Sequence, residues 1–396
     1  MMWTKAKIGD CCEITSSKRI FFSEYVENGI PFYRSKEIIE LSNCQEISDP
    51  LYISESKYDE IAHKFGIPQP GDMLLTSVGT IGIPYIVKEK DTFYFKDGNL
   101  TWFRNFNERL DSRYLFYWVK SAEGQGVLNN TTIGSSQKAL TIAALKDLKI
   151  LCPPIGIQNR IVEILTSYDD LIENNQKQIK LLEEAAQRLY KEWFVDLRFP
   201  GHENTKITDG VPEGWKIQTL SQIADVVMGQ SPKSEFYNQN GQGLPFHQGV
   251  GSYGTRFVVD KIYSTSFTRI AEAGSILFSV RAPVGRLNLT RNRVVIGRGL
   301  AAINHRLGKQ SYLFYLLKEH FFKDDVIGNG AIFASISKDE LLAQQFTIPV
   351  SNLIEQFNVI VSDMDGRIAE LAEQVTLLIE ARDRLLPKLM SGEIEV

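Results

Sequence analysis

The chain spells one pattern twice, and its longest match leaves no room for a gap. Ile161, Leu165, Tyr168, Ile172, Asn175, Ile179, Leu182, Ala186, Leu189 and Trp193 follow one another at alternating steps of four and three. At a constant offset of 196 the second copy reads Phe357, Val361, Met364, Ile368, Leu371, Val375, Leu378, Arg382, Leu385 and Leu389. A 3.5-residue apolar period is the seam of a coiled coil, narrower than the stripe of a helix lying on its own domain. Each seam is broken once, at Asn175 and at Arg382, and a buried polar residue costs stability while fixing register. Two matched seams in one chain most simply zip to each other. Each helix should run on the order of 45–50 Å at 1.5 Å per residue. Pro387 should end or kink the second one.

The blocks upstream of each seam repeat as well. Ile30-Pro31-Phe32 after Gly29 returns as Leu244-Pro245-Phe246 after Gly243, and Gly71-Asp72-Met73-Leu74-Leu75 with Ser77 returns as Gly274-Ser275-Ile276-Leu277-Phe278 with Ser279. Tyr114-Leu115-Phe116-Tyr117 returns as Tyr312-Leu313-Phe314-Tyr315, and Pro153 as Pro349. Between matched blocks the offset drifts, as it does when loops change length and cores do not. Strand-like runs such as Leu100-Thr101-Trp102-Phe103 and Val294-Val295-Ile296 alternate with Gly-rich turns and short helices. The expected fold is α+β: two similar mixed α/β domains, 1–153 and 217–350, joined by long antiparallel coiled-coil helices at 154–200 and 351–396. An aperiodic, Pro/Gly-punctuated linker fills 201–216. The order domain, helix, domain, helix is a cyclic repeat, and an antiparallel helix pair would relate the domains by a pseudo-twofold axis.

No stretch of the 396 residues approaches the roughly 18 apolar residues that span a bilayer, and no signal core opens the chain. The cysteines Cys11, Cys12, Cys44 and Cys152 form no C-x-x-C pair, so reduced thiols in a cytoplasmic protein are expected. A net charge of −4 argues superficially against nucleic acid, but charge is distributed unevenly. Residues 216–308 hold 11 Lys and Arg against 4 Asp and Glu, whereas residues 351–396 hold 4 against 9. Between Arg281 and Arg306 lie six arginines and no acidic residue. The global charge hides a basic module.

The search for catalytic chemistry returns little. Asp49, Glu55 and Lys57 echo a nuclease triad only loosely, and no P-loop is present. Cys152-Pro153-Pro154-Ile155 lacks the polar and aromatic residues of an amino-methyltransferase site. Recognition residues are more evident. Arginine offers a planar fork that matches guanine O6/N7 or a phosphate. In the second copy the candidate DNA-binding residues are Arg281, Arg286, Arg291, Arg293 and Arg298, with Lys233, Gln248 and Arg256. In the first copy they are Lys18, Arg19, Arg34, Lys36, Ser77, Thr80, Ser136, Gln137 and Lys138.

Across its length the chain resembles the specificity subunit of a Type I restriction–modification system. The resemblance rests on Gly71-Asp72-Met73-Leu74 with Ser77 and Gly79, and on Pro153-Pro154 followed by Gln158 and the heptad helix. Pro212-Glu213-Gly214-Trp215 and the C-terminal Arg382-Asp383-Arg384-Leu385-Leu386-Pro387-Lys388-Leu389-Met390-Ser391-Gly392-Glu393 complete it. The pair Glu355-Gln356 before the second helix is Ile157-Gln158 before the first, a departure confined to the helix start. The resemblance implies two target-recognition domains reading double-stranded DNA, bound to two methyltransferase and two restriction subunits. Those partners, and not this chain, would hold S-adenosylmethionine, ATP and magnesium. The expected function is a non-catalytic, sequence-specific DNA-binding subunit reading a bipartite, asymmetric target, with a coiled-coil scaffold that binds proteins only as the alternative.

Overall fold

The computed structural model describes residues 3–43, 45–134, 138–321 and 335–396. It divides into two compact units, residues 1–176 with 372–396, and residues 177–371. The first unit is discontinuous in sequence because the second long helix returns to it.

The first unit runs β1 (Thr4–Lys7), β2 (Glu13–Thr15), β3 (Tyr25–Val26), β4 (Ile30–Tyr33), α1 (Ser35–Ser42), β5 (Leu51–Ile53), α2 (Glu55–Phe65), β6 (Met73–Thr76), β7 (Pro84–Ile86), β8 (Tyr94–Phe95) and β9 (Leu100–Arg104). Then come α3 (Ser112–Lys120), α4 (Ala122–Thr131), α5 (Ile142–Asp147), β10 (Lys149–Cys152) and the long α6 (Ile155–Tyr190), which continues into the second unit. The second unit adds β11 (Ile207–Thr208), β12 (Val211–Pro212), β13 (Lys216–Thr219), α7 (Leu220–Ile223), β14 (Ala224–Met228), β15 (Tyr237–Asn238), β16 (Leu244–His247), β17 (Tyr263–Ser264) and β18 (Ile270–Ala271). It ends with β19 (Ile276–Ser279), β20 (Leu287–Leu289), β21 (Val294–Ile296), β22 (Leu300–His305), α8 (Gln310–Phe321), α9 (Lys338–Leu342), β23 (Gln345–Ile348) and α10 (Ser351–Ser391), whose later turns belong to the first unit.

The repeat in the sequence is a repeat of strand order. One sheet is β2-β9-β6-β7 in the first unit and β14-β22-β19-β20 in the second. The other is β3-β5-β4-β8, matched by β15-β17-β16-β21 with β18 added at its edge. In both copies one pair, β4 with β8 and β16 with β21, is parallel. An antiparallel ribbon, β1 with β10 or β13 with β23, leads into each long helix. Within 201–216 the chain forms the short β11–β12 hairpin where only an aperiodic linker was expected.

The apolar runs explain why each larger sheet is covered on both faces. Successive strand residues point to opposite sides, so a strand buried on both reads as a continuous apolar run. In β6, Met73 and Leu75 join the core beneath α3 and the long helices, while Leu74 joins Trp102, Phe95 and Ile38 on the other face. In β19, Ile276 and Phe278 pack with Tyr312, Tyr315 and Phe357, while Leu277 packs with Ile296 and Leu300.

Every one of the ten seam residues in each long helix is buried or half-buried. In the first unit Asn175 Nδ2 donates to Gln374 Oε1 at 3.1 Å, and Arg382 Nη1 donates to Asp169 Oδ1 at 2.6 Å. In the second, the Tyr190 and Trp193 rings lie 5.8 and 6.0 Å from that of Phe357. Later residues of α6 thus meet earlier residues of α10, and in each unit the helices run antiparallel. Both seam breaks are satisfied across the pair. Pro387 does not end the helix, because α10 continues to Ser391. The ring forfeits one backbone bond, the N–H that would reach the carbonyl of Asp383, and the helix runs on for about one turn beyond it.

Phe357 is fully buried among Tyr190, Trp193, Phe194, Tyr312 and Tyr315. Phe357→Ala should destabilise the protein by about 3–5 kcal/mol, the usual cost of an emptied aromatic site. Leu171→Ala, at a residue 51% exposed on the outer face of α6, should change stability by less than about 0.5 kcal/mol. Denaturant titration followed by circular dichroism checks both.

Candidate nucleic-acid interface

Register decides which loops share an end of each larger sheet. In the second unit Leu300, the first residue of β22, faces Ser279, the last of β19. Ala301 faces Met228 at the end of β14, and Leu287 at the start of β20 faces Phe278. The loops after Met228, after Ser279 and before Leu300 therefore open from one end. The segment after β16 joins them, since Gly297 N–H donates to His247 O at 2.8 Å and Gly299 N–H to Gln248 O at 3.1 Å. Ser231 Oγ donates to Gln248 Oε1 at 2.8 Å and accepts from the Arg298 backbone N–H at 3.2 Å. A Cβ on Gly297 would sit 2.9 Å from Gln248 Cα, and one on Gly229 only 2.1 Å from Gly297 O, both backbone atoms, so the close approach requires glycine at both.

This clasp presents Lys233, Gln248 and Arg298, all exposed, together with the exposed Arg281 and Arg286 from the β19–β20 loop. Lys233 is 3.8 Å from Glu235, and its side chain is 83% exposed. The other arginines of the run lie at the opposite end of the sheet, where β20 finishes beside Ile276 and β22 beside Ala224. There Arg291 stacks over Phe257 at 4.6 Å, Arg293 pairs with Glu272 at 3.1 Å and Arg306 with Asp225 at 3.0 Å.

The first unit builds the same end with different side chains. Leu100 at the start of β9 faces Thr76 at the end of β6, and Trp102 faces Thr15 at the end of β2. The Gly98 N–H donates to Ser16 Oγ at 3.3 Å, the counterpart of the Arg298–Ser231 bond. Lys96 N–H donates to Tyr33 O at 2.8 Å, which brings in the segment after β4. Lys18, Arg19, Lys36, Thr80 and Lys138 are exposed here. The Lys18 ammonium sits 4.5 Å over the Phe65 ring, and Arg19 pairs with Asp97 at 2.9 Å while its side chain remains 70% exposed.

Besides Arg291 and Arg293, three more expected residues are placed otherwise. Ser77 is buried, with its hydroxyl 2.6 Å from Thr101 Oγ1 and donating to Leu75 O. Arg34 is held by the fully buried Glu37 and also reaches Asp49, so its charge is largely answered inside the protein. Arg256 is buried between Asp365 and Glu183. Ser136 and Gln137 lie outside the described residues.

Among the described residues the loosely matched triad is not assembled. Asp49 turns to Arg34 and Lys57 to Glu24 and Glu60, which disperses the loose triad. Burial pushes the thiols of Cys12 and Cys152 up, to about 12 and about 11, which leaves them protonated and inert at neutral pH. Among the described residues no group of three His, Cys, Asp or Glu could hold a metal ion, and no helix is long and apolar enough to cross a membrane.

Comparison with known proteins decides the lineage. The model of the Type I restriction modification DNA specificity domain matches residues 2–184 and again residues 212–381. The chain belongs to that family. Two relatives from Methanocaldococcus jannaschii are named as the MjaX and MjaIX specificity subunits of type I restriction enzymes. They are 29% and 27% identical, over 94% and 100% of this chain and 92% and 94% of theirs. The crystal structure of the Type I restriction–modification S subunit from M. genitalium shares the fold. Its TM-score is 0.62 at 16% identity, over 98% of this chain and 96% of that one.

In this specificity-family chain, sequence reading found the exposed cations and missed what groups them. Ser16 and Ser231, each just beyond the first strand of its larger sheet, went unselected; their shared place at offset 215 was the available signal. Alanine at Arg281, Arg286 or Arg298 should weaken duplex-DNA binding. A residue on phosphate should lower affinity for every sequence and flatten the salt dependence; one on a base should discriminate by about 1–3 kcal/mol at one position. Alanine at Arg291, Arg293 or Arg306 should leave both unchanged. Fluorescence anisotropy at two salt concentrations separates the sets.

Proposed function

We propose that this chain is the sequence-specific DNA-binding subunit of a Type I restriction–modification complex, reading a bipartite, asymmetric target. The carrying observation is the loop-bearing sheet end built twice on one strand order, in a chain whose two halves both match a DNA specificity domain. One end displays Lys18, Arg19, Lys36, Thr80 and Lys138, and the other Lys233, Gln248, Arg281, Arg286 and Arg298. Equivalent scaffolds with different exposed side chains read different bases, which makes the two half-sites unlike. Cations on loops answer the phosphate backbone, and amide and guanidinium forks read base edges in the major groove.

In this reading the antiparallel helices hold the readers at a set separation. The chain catalyses nothing. Two methyltransferase and two restriction subunits assemble on it in the cytoplasm and hold S-adenosylmethionine, ATP and magnesium, none of which this chain binds. A scaffold that binds proteins only would show no salt-sensitive affinity for duplex DNA.

Replacing residues 217–349 by the equivalent block of another family member should change one half of the selected target and leave the other intact. Simultaneous change of both halves would refute modular reading. Inserting seven residues into both seams lengthens each helix by roughly 10 Å, about three base pairs of duplex rise. The spacer should grow by that amount with the half-sites unchanged, as read by selection from a randomised duplex pool.

A further inference from the structure

The repeat carries a polar device that the DNA-reading loops do not use. Phe116-Tyr117-Trp118-Val119-Lys120 on α3 returns as Phe314-Tyr315-Leu316-Leu317-Lys318 on α8, and Asp169 on α6 returns as Asp365 on α10. Each tyrosine meets the aspartate of its own unit. Tyr117 Oη donates to Asp169 Oδ2 at 2.8 Å, and Tyr315 Oη lies 3.5 Å from Asp365 Oδ1. An arginine completes each cluster, but from different sources. Arg382, from the opposite long helix, donates to Asp169 at 2.6 Å. Arg256, from the recognition domain itself, donates to Asp365 at 2.5 Å, lies 3.8 Å from Glu183 on α6 and stacks 3.8 Å above the Phe314 ring. The Arg256 side chain is only 3% exposed.

We propose that these Tyr–Asp–Arg clusters are latches that fix the setting of each recognition domain on its helix pair, and thereby the spacing the chain accepts between half-sites. The proposal rests on the reading above, in which the helices hold two DNA readers apart. Apolar surfaces tolerate small slides, whereas a hydrogen-bonded ion pair out of water has one good geometry and is costly to leave half-made. In each unit the aspartate stands on a long helix and the tyrosine on the recognition domain, so the bond joins ruler to reader. Tyr117, Asp169, Tyr315, Asp365 and Arg256 are positioning residues that touch no DNA.

The two latches differ in one consequence. Arg382 lies outside the block 1–153, so exchange of the first domain keeps that cation. Arg256 lies inside 217–349, so exchange of the second removes it and strands Asp365 and Glu183, whose carboxyl burial already pushes up. A second-domain chimera without an arginine there should regain stability, but not tight spacing, when Asp365→Asn and Glu183→Gln remove the stranded charge.

The direct test uses the full chain with its methyltransferase partner and a duplex pool randomised in both half-sites and in spacer length. Wild type should select two half-sites at one spacing. Asp365→Asn, Arg256→Met and Tyr315→Phe should select the same half-site bases, while the preference for the wild-type spacing over one base pair longer or shorter falls at least about tenfold. Arg256→Lys should restore part of it. Tyr315→Phe removes a single hydroxyl and remains readable if the charge variants fail to fold. Folded variants that keep the wild-type spacing preference, or that change the half-site bases, overturn the latch alone. A wild-type chain that selects no divided target overturns the proposed function, and the latch with it.

Discussion

The seam between α6 and α10 is the contact on which each unit depends. In the first unit Ile161 and Leu165 share a core with Leu386, Leu389 and Met390 and with Tyr114 and Trp118 of α3. In the second, Ala186 and Tyr190 share one with Phe357 and Val361 and with Tyr312 and Leu313 of α8. The recognition domain therefore packs on both helices at once, and neither helix segment could leave without opening the domain core. Because the helices run antiparallel, each domain receives the start of one helix and the end of the other.

On that support the same strand order is built twice and finished differently. Buried strands such as Met73–Thr76 and Ile276–Ser279 fix the sheets from both faces, which leaves the loops at one end free to vary. The serine clasp, Ser16 to Gly98 and Ser231 to Arg298, ties those loops to the sheet through backbone N–H groups. Side chains beyond the clasp can then change without loss of the loop. That is the physical requirement for a reader whose sequence preference diverges while its fold does not.

Much of this was legible in the sequence. The ten-position seam was, because a period of 3.5 and a gapless offset are properties of the chain alone. The α+β class and the two-copy order were, because buried strands spell continuous apolar runs. The arginine run is not one surface: residues on either side of a short strand emerge at its opposite ends, so Arg293 and Arg298, which flank β21, part company. Arg256 and Ser77 look like recognition residues by type but are buried by partners over 100 and over 20 positions away, Asp365 and Thr101. Pro387 costs its helix one backbone bond without ending it, and the packing of Leu386, Leu389 and Met390 is not visible in a local rule. Period is local information; pairing partners are not.

The central claim is that one chain reads DNA at two separated places. Hydroxyl-radical footprinting of the full chain, with the methyltransferase subunit proposed to assemble on it, on a duplex selected by the complex, tests it most directly. The account predicts two protected patches with a cleaved spacer between them, the patches unlike in sequence. A single continuous patch, or protection that vanishes equally on every sequence as salt rises, would contradict it.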